Sequence, residues 1–168
     1  MSEHDGDVDT AVRRALADTG VPYQLVPCDP ALADTASFTQ AYGYSPSDSA
    51  NTIIVIGKGQ EPRYAACVVL ADSRLDVNRA VKQRLGVRRA SFASADETTS
   101  LTGMMIGGVT VFGLPPDLPV WVDDRVMGRD QIILGGGSRS WKVVAPPSIL
   151  ARVPNLEIVP GLALTAEG

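Results

Sequence analysis

Four glycines fall within eleven residues in Thr102-Gly103-Met-Met-Ile-Gly107-Gly108-Val-Thr110-Val111-Phe112-Gly113. Main-chain N–H and C=O groups left uncovered by side chains can hold a carboxylate, a phosphate or an ester carbonyl, so backbone itself could perform the chemistry here. A bulged hairpin packed against a small barrel also calls for glycines at its bends, and the residue pattern leaves both readings open. A second candidate is Gly135-Gly136-Gly137-Ser138-Arg139, a turn between two strands. Such a turn can approach a ligand, with Ser138 and Arg139 available to a phosphate or ribose.

Other reactive groups are scarce. The single histidine, His4, falls in a terminus expected to fray, which leaves histidine-dependent triads and histidine-ligated metals without material. Cys28 and Cys67 have no metal-ligand spacing, and no histidine is at hand to activate Cys28 as a nucleophile. No metal and no cofactor are expected. Asp123 and Asp124 could form an acid/base pair, although carboxylates at a strand end commonly form a turn. Tyr23 fits a pocket wall or a core position equally well.

The chain of 168 residues is expected to form one α+β domain, since helices alternate with clustered hairpins that suggest a closed or nearly closed mixed sheet. A helix is predicted over residues 8–19, where Val8, Val12, Ala15 and Leu16 share a face, followed by a short strand from Tyr23. Asp34 or Thr35 caps a second helix that Gly43 ends. Thr52–Ile56 and Tyr64–Ala71 form a hairpin buried on both faces. Asp76 starts a third helix, whose Lys82 and Arg84 read as a solvated face, and an edge strand follows at Arg88–Ala93. Ser94-Ala-Asp-Glu97 is a capping box opening a short helix that leads into Gly103. Strands are predicted at 120–122, 131–134, 140–145 and 156–159, a final helix near 149–153, and a loose tail beyond it.

The longest apolar run has eight residues and the first residues are acidic, which predicts a soluble, cytoplasmic protein with neither membrane span nor signal peptide. A net charge of −4 argues against broad binding to duplex DNA, while recognition of one strand end by a narrow pocket stays compatible with it.

Several motifs occur in a telling order: Ala41-x-Gly43 with Pro46, then Thr52-Ile-Ile-Val, Thr102-Gly103, Gly107-Gly108-Val109-Thr110 with Phe112-Gly113, Leu118-Pro119 with Asp123, and Gly136-Gly137-x-Arg139. Together they resemble the YbaK/ProX-type aminoacyl-tRNA deacylases, from about Tyr23 to Leu150. The resemblance implies a small mixed β-barrel flanked by helices. It implies a free-standing editing domain that hydrolyses the ester of a mischarged tRNA. Its partners would be the tRNA acceptor end and an aminoacyl-tRNA synthetase. It further implies that the glycine loop holds the aminoacyl group and that the substrate's own ribose hydroxyl helps to position water. On this reading Asn51, Gly107, Gly108 and Thr110 are the catalytic candidates. Tyr23, Val111, Phe112, Gly113, Asp123, Gly136, Gly137, Ser138 and Arg139 are the substrate-binding ones.

The sequence departs from that pattern twice. Counting from Gly43, the position of the family's functional lysine is Asn51, which carries no charge. Asn51→Lys is therefore expected to restore activity or affinity. The loop's family proline is Val111, which restores an N–H and some freedom. A second reading follows, a non-catalytic homologue that binds a tRNA 3′ end or a small aminoacyl- or nucleotide-like ligand. A third, an interaction protein with Trp121, Trp141 and Phe112 as surface anchors, is disfavoured because the glycine loops show no packing need.

Overall fold

The structure, a computed structural model, describes residues 3–165. Helix α1 spans Glu3–Thr19 and takes in the position of His4. Val12 and Leu16, one turn apart, are buried from its inner face. Strand β1 (Gln24–Pro27) leads to α2 (Thr35–Tyr42), capped by the Asp34 carboxylate, which accepts from Ser37 N.

The hairpin of β2 (Ala50–Lys58) and β3 (Arg63–Leu70) forms the middle of a five-stranded sheet. Alternation explains its position. Ile54, Ala66 and Val68 point into one apolar cluster with Val12 and Leu16, while Val55, Cys67 and Val69 point into a second cluster with Val81 and Leu85. Both faces are covered, so polar residues are confined to the strand ends. Strand β4 (Ser73–Leu75) is followed by a π-turn and α3 (Lys82–Leu85). The edge strand β5 (Arg89–Phe92) then pairs with the second half of β2. The capping box at Ser94 and Glu97 opens α4 (Ala95–Thr102), which ends at Gly103.

Strand β6 (Val120–Asp123) runs parallel to β3, and β9 (Leu156–Val159) runs parallel to β6 on its far side, giving the order β5-β2-β3-β6-β9. Between them β7 (Ile132–Gly136) and β8 (Ser138–Ala145) form a hairpin that carries β1 on its outer edge. A single parallel bridge between Ser49 and Ile133 ties this sheet to the larger one. The α+β architecture with mixed sheets is the one the sequence predicts.

Three details differ from the sequence reading. The final helix is a 3-10 segment, Pro147–Arg152. The tail beyond Val159 is not wholly loose, because β10 (Ala163–Thr165) pairs with β4. The glycine-rich segment contains no strand and is a loop, not a hairpin. Trp121 and Phe112 are buried in the two clusters and cannot serve as surface anchors; Arg13 lies over the Trp141 ring. No described helix is long and apolar enough to cross a membrane.

Candidate functional site

The two larger sheets part where β5 stops covering β2. Strand β5 pairs with β2 only from Val55 to Lys58, so the first half of β2 borders an opening whose other lip is β7. A pocket of about 280 Å³ fills it, lined by Ser49 to Ile54 on one side and by Ile133, Leu134 and Gly135 on the other. The start of α2 contributes Asp34, Thr35 and Phe38, and the glycine loop contributes Ile106, Gly107 and Val109. The volume lies near the small end of ligand pockets, which run from roughly 300 to 1,000 Å³.

Asn51 stands in this pocket with a fixed orientation. Its Oδ1 accepts from Thr35 Oγ1 at 2.9 Å and from Ser49 Oγ at 3.3 Å. Both bonds use the carbonyl oxygen, which turns the amide nitrogen, a neutral double donor, away from them.

The cation comes from elsewhere in the chain. Lys142 on β8 lines the same pocket, and its Nζ donates to Gly107 O at 2.7 Å. Its ammonium also lies 5.6 Å from the Phe38 ring centroid. The residue is 7% exposed. Burial lowers its pKa from the ordinary 10.5; Arg139 adds to that, and Cys28 and Asp34 offset part of it. One of the three N–H donors of this ammonium is used by Gly107, and among the described residues no carboxylate forms an ion pair with it.

Arg139 also lines the pocket but is occupied as a strut. Its Nε donates to Pro30 O at 2.9 Å and its Nη1 to Ile106 O at 2.7 Å, fastening the loop to the segment before α2.

The glycines do have a packing role. The loop lies backbone to backbone on the β7–β8 turn, with Gly137 N donating to Gly108 O at 2.6 Å. A Cβ on Gly108 would fall 2.3 Å from Ser138 O, and one on Gly135 would fall 2.4 Å from Val109 O. Those distances exclude any side chain. Gly107 and Val109, which line the pocket, donate no backbone hydrogen bond within the described loop.

A model of the aminoacyl-tRNA editing domain matches residues 29–152, more than half of the chain. The chain belongs to the aminoacyl-tRNA editing domain family. Its fold is YbaK-like. Among solved structures it is similar to the hypothetical protein APE2540, with 25% identity and a TM-score of 0.80 over 91% of this chain and 99% of that one. It is also similar to a candidate trans-editing enzyme for prolyl tRNA synthetase, with 20% identity and a TM-score of 0.76 over 95% and 97%.

The residues predicted for this editing domain's site divide into two groups. Asn51, Gly107 and Arg139 line the pocket. The others are not among the residues lining it. Gly108, Gly136, Gly137 and Ser138 belong to the interlock beneath it, Ser138 being buried with its Oγ accepting from Ser140 N. Thr110 is fully buried, its N–H directed at Met104 Sδ and its hydroxyl unpartnered. Val111 and Phe112 are core residues, Tyr23 packs partly buried against the same cluster, and Gly113 abuts the backbone of Ala11. Asp123 stands at the end of β6, where its Oδ1 accepts from Ala163 N at 3.1 Å and anchors β10. Burial raises its pKa above the ordinary 3.8.

Lys142, Thr35 and Asp34 line the pocket but were not among the predicted site residues, Asp34 and Thr35 having been read only as helix caps. A lysine between Trp141 and Val143 in a strand is the one signal that could have revealed the first, because alternation assigns it to the face of Val144, which is buried.

Proposed function

We propose that this editing domain is a single-domain, cytoplasmic deacylase that acts in trans, hydrolysing the ester between an amino acid and the 3′ end of a mischarged tRNA. The observation that carries the reading is the buried Lys142 ammonium in the pocket, in no ion pair among the described residues and bonded to the glycine loop. A cation in such surroundings favours an ester oxygen that gains negative charge as water adds, and the low local dielectric strengthens the effect. The unused N–H groups of Gly107 and Val109 and the amide of Asn51 add neutral donors around the same oxygen. Asp34, whose pKa is lowered by its bond from Ser37 N, stays ionised at the pocket wall and suits the α-ammonium of the aminoacyl group. Ile53, Ile54, Val109 and Leu134 give the remainder an apolar lining that fits a small side chain. With no imidazole in the lining, the attacking water is held by the substrate's ribose hydroxyl and by these donors.

In this account the lysine's duty has moved from the position of Asn51 on β2 to Lys142 on β8. A synthetase partner would supply the mischarged tRNA. The second reading, binding without hydrolysis, draws on the neutral Asn51. Incubating the protein with tRNAs mischarged with Ala, Ser, Cys, Pro and Thr separates the two: release above buffer hydrolysis for at least one charge supports the deacylase, and a flat panel supports the binder.

A further inference from the structure

The protein is acidic as a whole, but its charge is segregated. Residues 58–89 hold eight of the fifteen Lys and Arg and only three of the nineteen Asp and Glu, for a net of +5 against −9 in the rest of the chain. The fold brings several of these charges to one end of the large sheet. Lys58 on β2 is directly paired with Arg89 on β5, and Arg63 on β3 is paired with the neighbouring Gly57. Like charges facing each other across strands cost stability, and nothing in the fold requires them there. The Arg63 guanidinium donates to Leu85 O beside Gly86. From there a shallow groove lined by Arg79, Lys82, Gly86 and Val87 continues the strip to Arg88. Of the three acids in the segment, Asp76 caps Arg79 N, while Glu61 and Asp72 are exposed; outside it, Glu157 is paired with Arg84.

We infer that this basic strip binds the sugar–phosphate backbone of the acceptor-stem duplex of a tRNA while the unpaired 3′ end enters the pocket. The inference rests on the deacylase reading for the identity of the RNA. Geometry links the two sites. Arg89 begins β5 and Ala93, just past its end, lines the pocket; four residues of strand span ~13 Å. Phe92 is 55% exposed beside Ala93, an aromatic face on which an unpaired base can stack. A local strip of five or six cations on an otherwise acidic surface confines the phosphates to one path, which a uniformly basic protein would not do.

The test is fluorescence anisotropy with an uncharged RNA hairpin carrying an acceptor stem and an unpaired 3′ tail, measured across a salt series. K58E/R89E is expected to weaken binding at least tenfold and to lower the log–log salt slope by about two, and R79E/K82E to act likewise. Thermal melts establish that each variant is folded, and the two pairs occupy different elements. Unchanged affinity and slope in both folded pair variants, or no binding of the hairpin by the wild type at low salt, would overturn the strip. Hairpin binding with the predicted slopes but no deacylation of any charged tRNA would remove the deacylase and leave the strip standing.

Discussion

Lys142 on β8 and Asn51 on β2 line one pocket from two different sheets, the first as a buried ammonium bonded to Gly107 O and the second as an amide fixed by Thr35 and Ser49. The positive charge and the neutral amide thus line the same pocket from opposite sides of the seam between the sheets. This pairing alters the expectation for Asn51→Lys. A second ammonium in the same small pocket is repelled by Lys142, so N51K alone should lower activity. In a K142M background, N51K should recover part of what was lost. Single-turnover rates of the two single variants and the double variant check this; a gain from N51K alone would contradict it.

Lys142→Met separates function from stability. A buried ammonium with one hydrogen bond is costly, so the apolar isostere should leave the melting temperature unchanged or raise it. The pKa of Lys142 is lowered on folding, so the unfolded chain binds the additional proton between the depressed value and 10.5. Stability from this group therefore rises as pH climbs through that window. Urea titrations at alkaline pH should show that rise in the wild type and not in K142M.

Asn51→Ala should lower the rate about tenfold without unfolding the protein, because it removes one neutral donor and releases the Thr35 hydroxyl. Chemical denaturation alongside the rate measurement distinguishes the two effects.

Gly108→Ala and Gly135→Ala should each cost about 1–3 kcal/mol and open the pocket, since their Cβ atoms would meet backbone carbonyls that cannot move aside. Gly59→Ala and Gly128→Ala, where a Cβ meets nothing within 4 Å, should be close to neutral. Urea denaturation of the four variants gives the comparison.

Asp123→Asn should retain activity, as the carboxylate holds β10 and lies outside the pocket lining. Its pKa is raised on folding, so its contribution to stability declines as pH rises from 3.8 through the folded value. The amide should flatten that decline in a pH series of thermal melts.

Much of the fold was legible because local chemistry decides it. Asp34, Asp76 and Ser94 cap where the sequence put them, and the Val- and Ile-rich runs of β2 and β3 pair as a hairpin. Strands β4 and β10 were not legible, being three residues each and paired across nearly ninety positions. Half of the site was hidden for a related reason. The glycine loop looked like bare backbone waiting for a ligand, yet Gly108 and Gly135 are small because two loops touch. Lys142 looked like an ordinary strand lysine, and only the meeting of β8 with the loop brings it to the pocket. Asn51 was found by register with the family pattern, whereas Lys142, which lines the same pocket, was not.

The role proposed for Lys142 is to supply the charge that ester hydrolysis needs. Its most direct test is the single-turnover release of amino acid from the best substrate of the mischarged panel by wild type and K142M, with folding verified. The expected result is a fall on the order of 10²-fold with the melting temperature maintained. Equal rates in the two proteins would contradict the account.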